Sequence, residues 1–119
     1  MKRTLVIGAS EKPERYANLA IVRLRKNGHP VFALGLKSGK VDDVKIETGK
    51  PNFREIDTVT LYINPKRQEE YFDYIISLKP ARVIFNPGTE NPEFEKRLAV
   101  EGIETEEACT LVLLSIKQF

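Results

Sequence analysis

The stretch Thr4-Leu-Val-Ile-Gly-Ala-Ser10 decides the fold of this chain. Its first half, Thr4–Ile7, is a short and almost wholly apolar run rich in β-branched residues, which is typical of a parallel strand buried on both faces. Its second half, Gly8-Ala-Ser10, supplies a turn of small residues, and an amphipathic segment with Ala17 and Leu24 on its apolar face follows. A strand, a tight turn and a helix in that order predict the first unit of an α/β domain.

The same alternation of apolar runs and amphipathic segments continues to the end of the sequence. The further predicted strands cover residues 31–34, 58–63, 82–85 and 103–105, with a short edge strand at 44–46. Asn64-Pro65 and Asn91-Pro92 each predict the start of a helix, because asparagine caps a helix and proline fits its first turn. The first helix is expected to end near Gly28, and a last one covers 108–116. This rhythm predicts an α/β, Rossmann-like three-layer sandwich with a mostly parallel sheet of about five strands.

The bulk properties place the chain among ordinary globular proteins. With 119 residues, it is predicted to form a single domain over 1–119. Its 41% hydrophobic and 30% charged residues argue against disorder, and a net charge of +2 without a basic block argues against a nucleic-acid partner. No apolar run is long enough to span a membrane, and the single cysteine, Cys109, excludes an internal disulfide. We therefore expect a cytoplasmic protein.

Four turns that follow predicted strands carry the candidate binding residues. Parallel α/β sheets bind their ligands beyond the carboxyl ends of the strands, where the strand order reverses. The turns expected at those ends are rich in Gly, Pro, Asn or small residues: Gly8-Ala-Ser10, residues 35–40, Asn64-Pro65 and Asn86-Pro-Gly88. The sequence therefore places a ligand site at this edge of the sheet.

The Gly8-Ala-Ser10 turn has two interpretations. Its small residues let a phosphate approach the backbone, the Ser10 hydroxyl can donate to it, and a helix starting near Lys12 or Pro13 would add positive charge from its N-terminus. The dinucleotide fingerprint has three glycines, however, and here only Gly8 is in place. Gly8 can equally make the tight turn that any such unit needs, so both interpretations stay open.

The second turn narrows the choice of ligand. NAD-binding domains carry an acidic residue near the end of the second strand, which hydrogen-bonds the ribose. Here Gly35, Lys37 and Lys40 occupy that stretch, and no acid occurs in it before Asp42. Lysines attract a phosphorylated ribose, as in NADP or coenzyme A, although loop lysines are also commonly just solvated. The turn favours a phosphorylated nucleotide over NAD.

Several short motifs, taken in order, resemble one family. They are Val6-Ile-Gly-Ala-Ser10, Pro13, Tyr16-Ala-Asn18, Gly28-His-Pro30, Asp57-Thr-Val-Thr-Leu-Tyr62, Asn64-Pro65, Asn86-Pro-Gly88 and Cys109-Thr-Leu. Together they extend over nearly the whole chain and resemble the small stand-alone CoA-binding domain proteins, which are similar to the CoA-binding domain of the succinyl-CoA synthetase α-subunit. The resemblance implies a Rossmann-like fold that holds coenzyme A or an acyl-CoA across the ends of the strands.

The resemblance also implies roles for the turn residues. The Gly8-Ala9-Ser10 turn would line the pyrophosphate, and Lys40 would contact the nucleotide end. Asn64-Pro65 would lie close to the adenosine or the pantetheine arm, and Asn86-Pro87-Gly88 would contribute backbone contacts only, because its residue types differ from the family's. With Lys12 at the expected helix start, the predicted cofactor-binding residues are Gly8, Ala9, Ser10, Lys12, Gly35, Lys37, Lys40, Asn64, Pro65, Asn86, Pro87 and Gly88.

Catalysis does not follow from the resemblance. The synthetase transfers phosphate through a histidine of a second domain, whereas the only histidine here, His29, lies at a predicted helix-to-strand junction away from the strand ends. Cys109 is expected at the start of the last helix as a small buried residue, and a redox role with the CoA thiol stays an open alternative. Glu104, Glu106 and Glu107 are expected in a solvated acidic turn rather than as metal ligands.

We therefore predict non-catalytic binding of coenzyme A or an acyl-CoA, with no catalytic residue and no metal. Tyrosine side chains are candidates for stacking on adenine: Tyr16, Tyr62, Tyr71 and Tyr74. Tyr71 and Tyr74 are more in keeping with half-buried packing along their helix. The alternatives are an NADP-linked or acyl-CoA-handling enzyme and a regulatory subunit of a separate ligase or transferase. A protein partner is compatible with the sequence but is not indicated by it.

Overall fold

The computed structural model describes residues 1–119 and contains one seven-stranded sheet. The strands are β1 (Thr4–Ile7), β2 (Val31–Leu34), β3 (Gly39–Val41), β4 (Val44–Glu47), β5 (Thr58–Leu61), β6 (Arg82–Phe85) and β7 (Glu104–Glu107). Their order across the sheet is β3-β4-β2-β1-β5-β6-β7, and every neighbouring pair is parallel except β3 with β4. The chain therefore has the α/β, Rossmann-like fold with a mostly parallel sheet that the sequence predicts.

Helices cover both faces of this sheet. They are α1 (Tyr16–Lys26), α2 (Pro65–Gln68), α3 (Phe72–Leu78), α4 (Pro92–Val100) and α5 (Thr110–Ser115), with a 3-10 turn at Glu69–Tyr71. Because side chains alternate along a strand, Leu5 and Ile7 of β1 face the core that includes residues of α3 and α4, whereas Val6 faces the core with residues of α1 and α5. Burying β1 on both faces explains its apolar composition.

The sheet has seven strands rather than about five, because the irregular stretch after β2 forms a hairpin. β3 and β4 pair around a tight turn at Asp42, whose φ of 51° lies in the left-handed region that aspartate tolerates. Val41, Val44 and Ile46 bury their side chains against the core shared with α1. A strand as short as β3 is too brief to produce a recognisable periodicity, which is why only residues 44–46 suggested a strand.

Strand β7 corrects the prediction of an acidic turn. Glu104, Glu106 and Glu107 belong to this strand, which pairs with β6 at one edge of the sheet. The strand starts after the buried Ile103 rather than at it. An edge strand leaves one side unpaired, and charged residues there discourage pairing with another chain. These charges interrupt the apolar pattern, so the sequence predicted a strand only over residues 103–105.

The two predicted Asn-Pro helix starts are confirmed. The Asn64 Oδ1 accepts a hydrogen bond from the Arg67 N–H (2.9 Å), and the Asn91 Oδ1 accepts one from the Phe94 N–H (3.2 Å). Each proline occupies the first turn, where its missing N–H costs no helical bond. These caps fix where α2 and α4 leave the carboxyl ends of β5 and β6. None of the helices has the length and apolar character that a membrane crossing needs.

Candidate functional site

The strand order reverses beside β1, and a cleft lies at that point. β2 flanks β1 on one side and β5 flanks it on the other. The loops that follow these strands and β6 surround a cleft of about 640 Å³, a size typical of small-molecule sites. Its lining residues are 8–12 and 15–17 after β1, 36–37 after β2, 62–64 and 67 after β5, and 87–89 after β6. The cleft thus occupies the place where α/β sheets bind ligands.

Gly8 brings two strands together at the floor of the cleft. Its φ of +100° is accessible to glycine, and a Cβ here would lie only 2.8 Å from the Tyr62 carbonyl oxygen. The N–H groups of Gly8 and Ala9 both donate to the Leu34 carbonyl, at 2.9 and 2.8 Å. Those two N–H groups are therefore engaged within the sheet and are not available to a ligand.

Free backbone donors lie further along the same loop. α1 begins at Tyr16 rather than near Lys12 or Pro13, so the loop after β1 is longer than predicted. The N–H groups of Ser10 and Glu11 make no hydrogen bond within the protein. At Tyr16, in the open first turn of α1, the N–H is equally unpaired, as expected at a helix N-terminus. These donors, together with the helix dipole, make this side of the cleft suitable for an anion.

A buried asparagine holds the loop against the helix. The Asn18 Nδ2 donates to the Ser10 carbonyl at 3.0 Å. Within the loop, the Lys12 N–H donates to the Ser10 hydroxyl oxygen at 3.1 Å. Both contacts restrain Ser10, so the donors around it are positioned before any ligand arrives.

The cleft carries an excess of positive charge. Its cationic residues are Lys12, Arg15, Lys37 and Arg67. None of these side chains makes an ion pair or a hydrogen bond; the ion pairs of the structure join Arg25 to Asp43, Arg82 to Glu106, and Arg97 to Asp73. The only carboxylate in the lining, Glu11, accepts the Lys40 N–H at 2.9 Å. Four cations without partners, around one engaged carboxylate, make a site for a multiply charged anion.

Tyr62 forms part of the cleft lining while its hydroxyl is buried behind it. The hydroxyl has no hydrogen-bond partner, although Thr60 and Thr110 lie close and bond to each other at 2.8 Å. Burial raises the pKa of Tyr62 to about 12. The hydroxyl is therefore neutral and protonated across the ordinary pH range, and it does not act as a base.

Eight of the twelve predicted binding residues line the cleft. They are Gly8, Ala9, Ser10, Lys12, Lys37, Asn64, Pro87 and Gly88. Of the others, Gly35 packs under the first turn, where a Cβ would come within 2.5 Å of the Ala9 carbonyl oxygen. Lys40 lies on β3, with its N–H bonded to Glu11, and Pro65 occupies the first turn of α2. These three residues shape or border the cleft from outside its lining.

Asn86, the fourth residue outside the lining, is buried and joins three elements. Its Nδ2 donates to the Leu61 carbonyl (2.8 Å) and to the Thr60 hydroxyl (2.6 Å) at the end of β5. Its Oδ1 accepts the Thr110 N–H (2.9 Å) at the start of α5. The side chain thus fixes β5, β6 and α5 relative to one another, which the sequence analysis did not anticipate.

Several residues of the lining were not predicted from the sequence. Arg15 and Arg67 are two of them, because they lie far apart in the sequence and only the folded structure brings both to the same cleft. Leu36 was not predicted either, whereas Tyr16 was a predicted candidate for stacking on adenine. Both are large apolar side chains at the cleft, with Leu36 73% and Tyr16 70% exposed. Exposed apolar groups of this size beside unpaired cations suit a ligand with a flat apolar part and an anionic part.

The remaining candidates lie outside the cleft lining. His29 lies before β2, where its Nδ1 accepts the Lys2 N–H (3.0 Å) and its ring packs against Phe119 with centroids 5.0 Å apart. Cys109 is half-buried at the N-cap of α5, and its side chain makes no capping hydrogen bond.

Nowhere do three or more His, Cys, Asp or Glu side chains gather as a metal-binding group. Tyr71 and Tyr74 are packing residues, and the Tyr74 hydroxyl donates to the Pro51 carbonyl at 2.6 Å.

Comparisons with known proteins identify the family of this chain and structures that share its fold. The model of the family described as CoA binding domain matches residues 2–115. A crystal structure of an uncharacterized protein is 50% identical, with a TM-score of 0.97, and the match covers 100% of this chain and 98% of that one. A hypothetical protein from Pyrococcus horikoshii OT3 is 28% identical, with a TM-score of 0.84, over 93% of this chain and 80% of that one. A Thermus thermophilus protein, 23% identical over 99% of this chain and 90% of that one, shares the fold with a TM-score of 0.87. Among curated proteins, none matches.

Proposed function

Since this chain belongs to the CoA-binding domain family, we propose that it binds coenzyme A or an acyl-CoA in the cleft between the loops after β1, β2, β5 and β6, without carrying out a reaction on it. The observation that carries the proposal is a set of three unpaired cations, Lys12, Arg15 and Lys37, in the loops that follow β1 and β2. Coenzyme A has a pyrophosphate and a separate 3′-phosphate, whereas NAD has a pyrophosphate alone. The cationic set suits the more highly charged of the two.

The fold also supports an orientation for the ligand. In Rossmann-type sheets the adenosine half lies over the second strand, and the remainder extends across the first. Leu36 and Lys37 follow β2, so they would contact the adenine and its phosphorylated ribose. The exposed ring of Tyr16 would stack on the adenine from the α1 side. The free N–H groups of Ser10 and Glu11 would then hold the pyrophosphate.

The titratable groups of the cleft support binding rather than catalysis. A general base must be deprotonated and within reach of the substrate proton that it removes. The Glu11 carboxylate accepts the Lys40 N–H, and the Tyr62 hydroxyl is buried with a pKa of about 12. His29, the one histidine, lies before β2 at the opposite end of the strands from the cleft. The side chains that are free of partners are two lysines and two arginines, which suit the binding of anions.

Calorimetric titration with coenzyme A and with dephospho-coenzyme A tests the proposal. We expect the loss of the 3′-phosphate to weaken binding about tenfold, because a charge-assisted contact is worth about 1.5 kcal/mol or more. Lys37→Ala should abolish that difference. Lys96→Ala, which removes an exposed lysine from α4, is the matched control and should leave both affinities unchanged.

Two results would count against the proposal. Equal affinities for the two ligands would show that Lys37 does not contact the 3′-phosphate. Tighter binding of NADP than of coenzyme A would favour the alternative of an NADP-linked enzyme, because a 2′-phosphate would suit the same lysine.

A further inference from the structure

Arg67 lies in the cleft wall half-buried and without an anionic partner. It belongs to α2, and its backbone N–H is bonded to the Asn64 side chain. Its guanidinium makes no hydrogen bond or ion pair, unlike that of Arg82, the most buried arginine, which contacts Thr58 and Glu106. A guanidinium has five donors, and leaving them unpaired in a partly buried place is unfavourable. An unpaired arginine in a cleft therefore indicates a place for an anion.

The position of Arg67 separates it from the other cations. Lys12, Arg15 and Lys37 follow β1 and β2, which is the side expected to take the phosphates. Arg67 follows β5, on the other side of the strand reversal. If the adenosine half lies over β2, this wall faces the opposite end of the ligand. The pantetheine arm at that end is uncharged, so a cation there has no partner in coenzyme A itself.

No acidic side chain forms an ion pair with Arg67. The carboxylate of Glu90, just beyond the β6 loop, accepts the Gly88 N–H at 2.9 Å. Asn64 is committed to its helix cap through the Arg67 N–H. The Arg67 guanidinium is therefore free to donate two parallel hydrogen bonds, which is the geometry that suits a carboxylate.

We propose that Arg67 binds a carboxylate at the end of the acyl group, so that the cleft prefers acyl-CoA thioesters of dicarboxylic acids to coenzyme A and to monocarboxylic acyl-CoA. This inference rests on the proposed function, and it adds the chemical class of the acyl group. Arg67 is then a specificity-determining residue, whereas Lys12, Arg15 and Lys37 serve every CoA ligand alike.

Affinity measurements with matched pairs of thioesters test the inference. Malonyl-CoA is compared with propanoyl-CoA, and glutaryl-CoA with pentanoyl-CoA, since the members of each pair have the same number of acyl carbons and differ in the terminal carboxylate. For the wild-type chain, we expect the dicarboxylic member of at least one pair to bind 10- to 100-fold more tightly, on the order of one charge-assisted bidentate contact.

Variants assign that preference to its residue. Arg67→Gln should remove it and leave the affinity for coenzyme A unchanged, and Arg67→Lys should retain part of it. The control is Lys66→Gln, which removes the charge of an exposed neighbouring lysine outside the lining. This variant should keep the full preference for the dicarboxylic thioester. Unchanged thermal melting of each variant confirms that it is folded.

Distinct results would overturn the inference. Equal binding within both pairs by the wild-type chain would refute it while leaving CoA binding intact. A loss of affinity for coenzyme A in Arg67→Gln, as large as the loss for the dicarboxylic thioester, would place Arg67 on a phosphate instead. Failure of every CoA ligand to bind would refute the proposed function itself, together with this inference.

Discussion

Replacing Gly8 by alanine tests how the floor of the cleft is built. Two separate costs act at this position: a positive φ of +100° and a Cβ only 2.8 Å from the Tyr62 carbonyl oxygen. The backbone conformation alone costs a non-glycine residue about 1–3 kcal/mol. Forcing an atom into a packed site adds about 1–3 kcal/mol. We expect Gly8→Ala to lower the free energy of unfolding by about 2–6 kcal/mol in total.

Gly88 provides the matched control, because it shares the first cost and lacks the second. Its φ is +92°, but no atom lies within 4 Å of a Cβ built there. Gly88→Ala should therefore lose about 1–3 kcal/mol. Urea denaturation of both variants, followed by circular dichroism, gives the two losses with the same assay. If Gly8→Ala is no more destabilising than Gly88→Ala, the close approach of the first turn to Tyr62 is not a constraint, and the reasoning about the floor fails.

Two other changes test the supporting structure. Asn86→Ala should lower the free energy of unfolding by about 3 kcal/mol, since three hydrogen bonds of buried groups are lost. The control is Asn27→Ala, at an exposed position with one hydrogen bond to Arg23. In the same urea titration, it should lower the free energy of unfolding by about 1 kcal/mol or less. Burial, reinforced by the charges of Lys2 and Arg82, lowers the pKa of His29 below its usual value, so neutral His29 stabilises the fold above about pH 6.5 and this stability is lost as the pH falls through the lowered pKa. Melting temperature measured against pH should therefore drop on acidification less in His29→Gln than in the wild-type chain, and identical profiles would contradict this role.

Much of the fold could be predicted from local pattern because its determinants are local. Burial on both faces makes β1 continuously apolar, and Asn64 and Asn91 cap helices through their own side chains. Strand β3 of the hairpin and the second half of β7, which includes Glu106, could not be predicted in the same way. β3 is too short to show a periodicity, and β7, at the opposite edge of the sheet, carries charge instead of apolar alternation.

In the candidate site, too, some residues could be predicted from local sequence and others could not. Gly8 and Lys37 could be identified because they belong to turns that follow strands, where the fold itself places ligands. Arg15 and Arg67 could not, because only the folded structure brings both to the lining of one cleft without ion-pair partners. Asn86 lies in a predicted turn yet faces inward, since its amide satisfies buried groups of β5 and α5. Residue type and spacing indicate which turns border the cleft, whereas the direction of each side chain depends on the packed structure.

We expect the cleft to select coenzyme A among phosphorylated nucleotides, and one competition experiment tests this selection most directly. The purified chain is mixed with equal concentrations of coenzyme A, NADP and NAD, and the mass of the intact complex is measured by native mass spectrometry. We expect a single dominant complex whose added mass is that of coenzyme A. A dominant NADP or NAD complex, or unliganded protein at saturating concentrations of all three, would contradict the account.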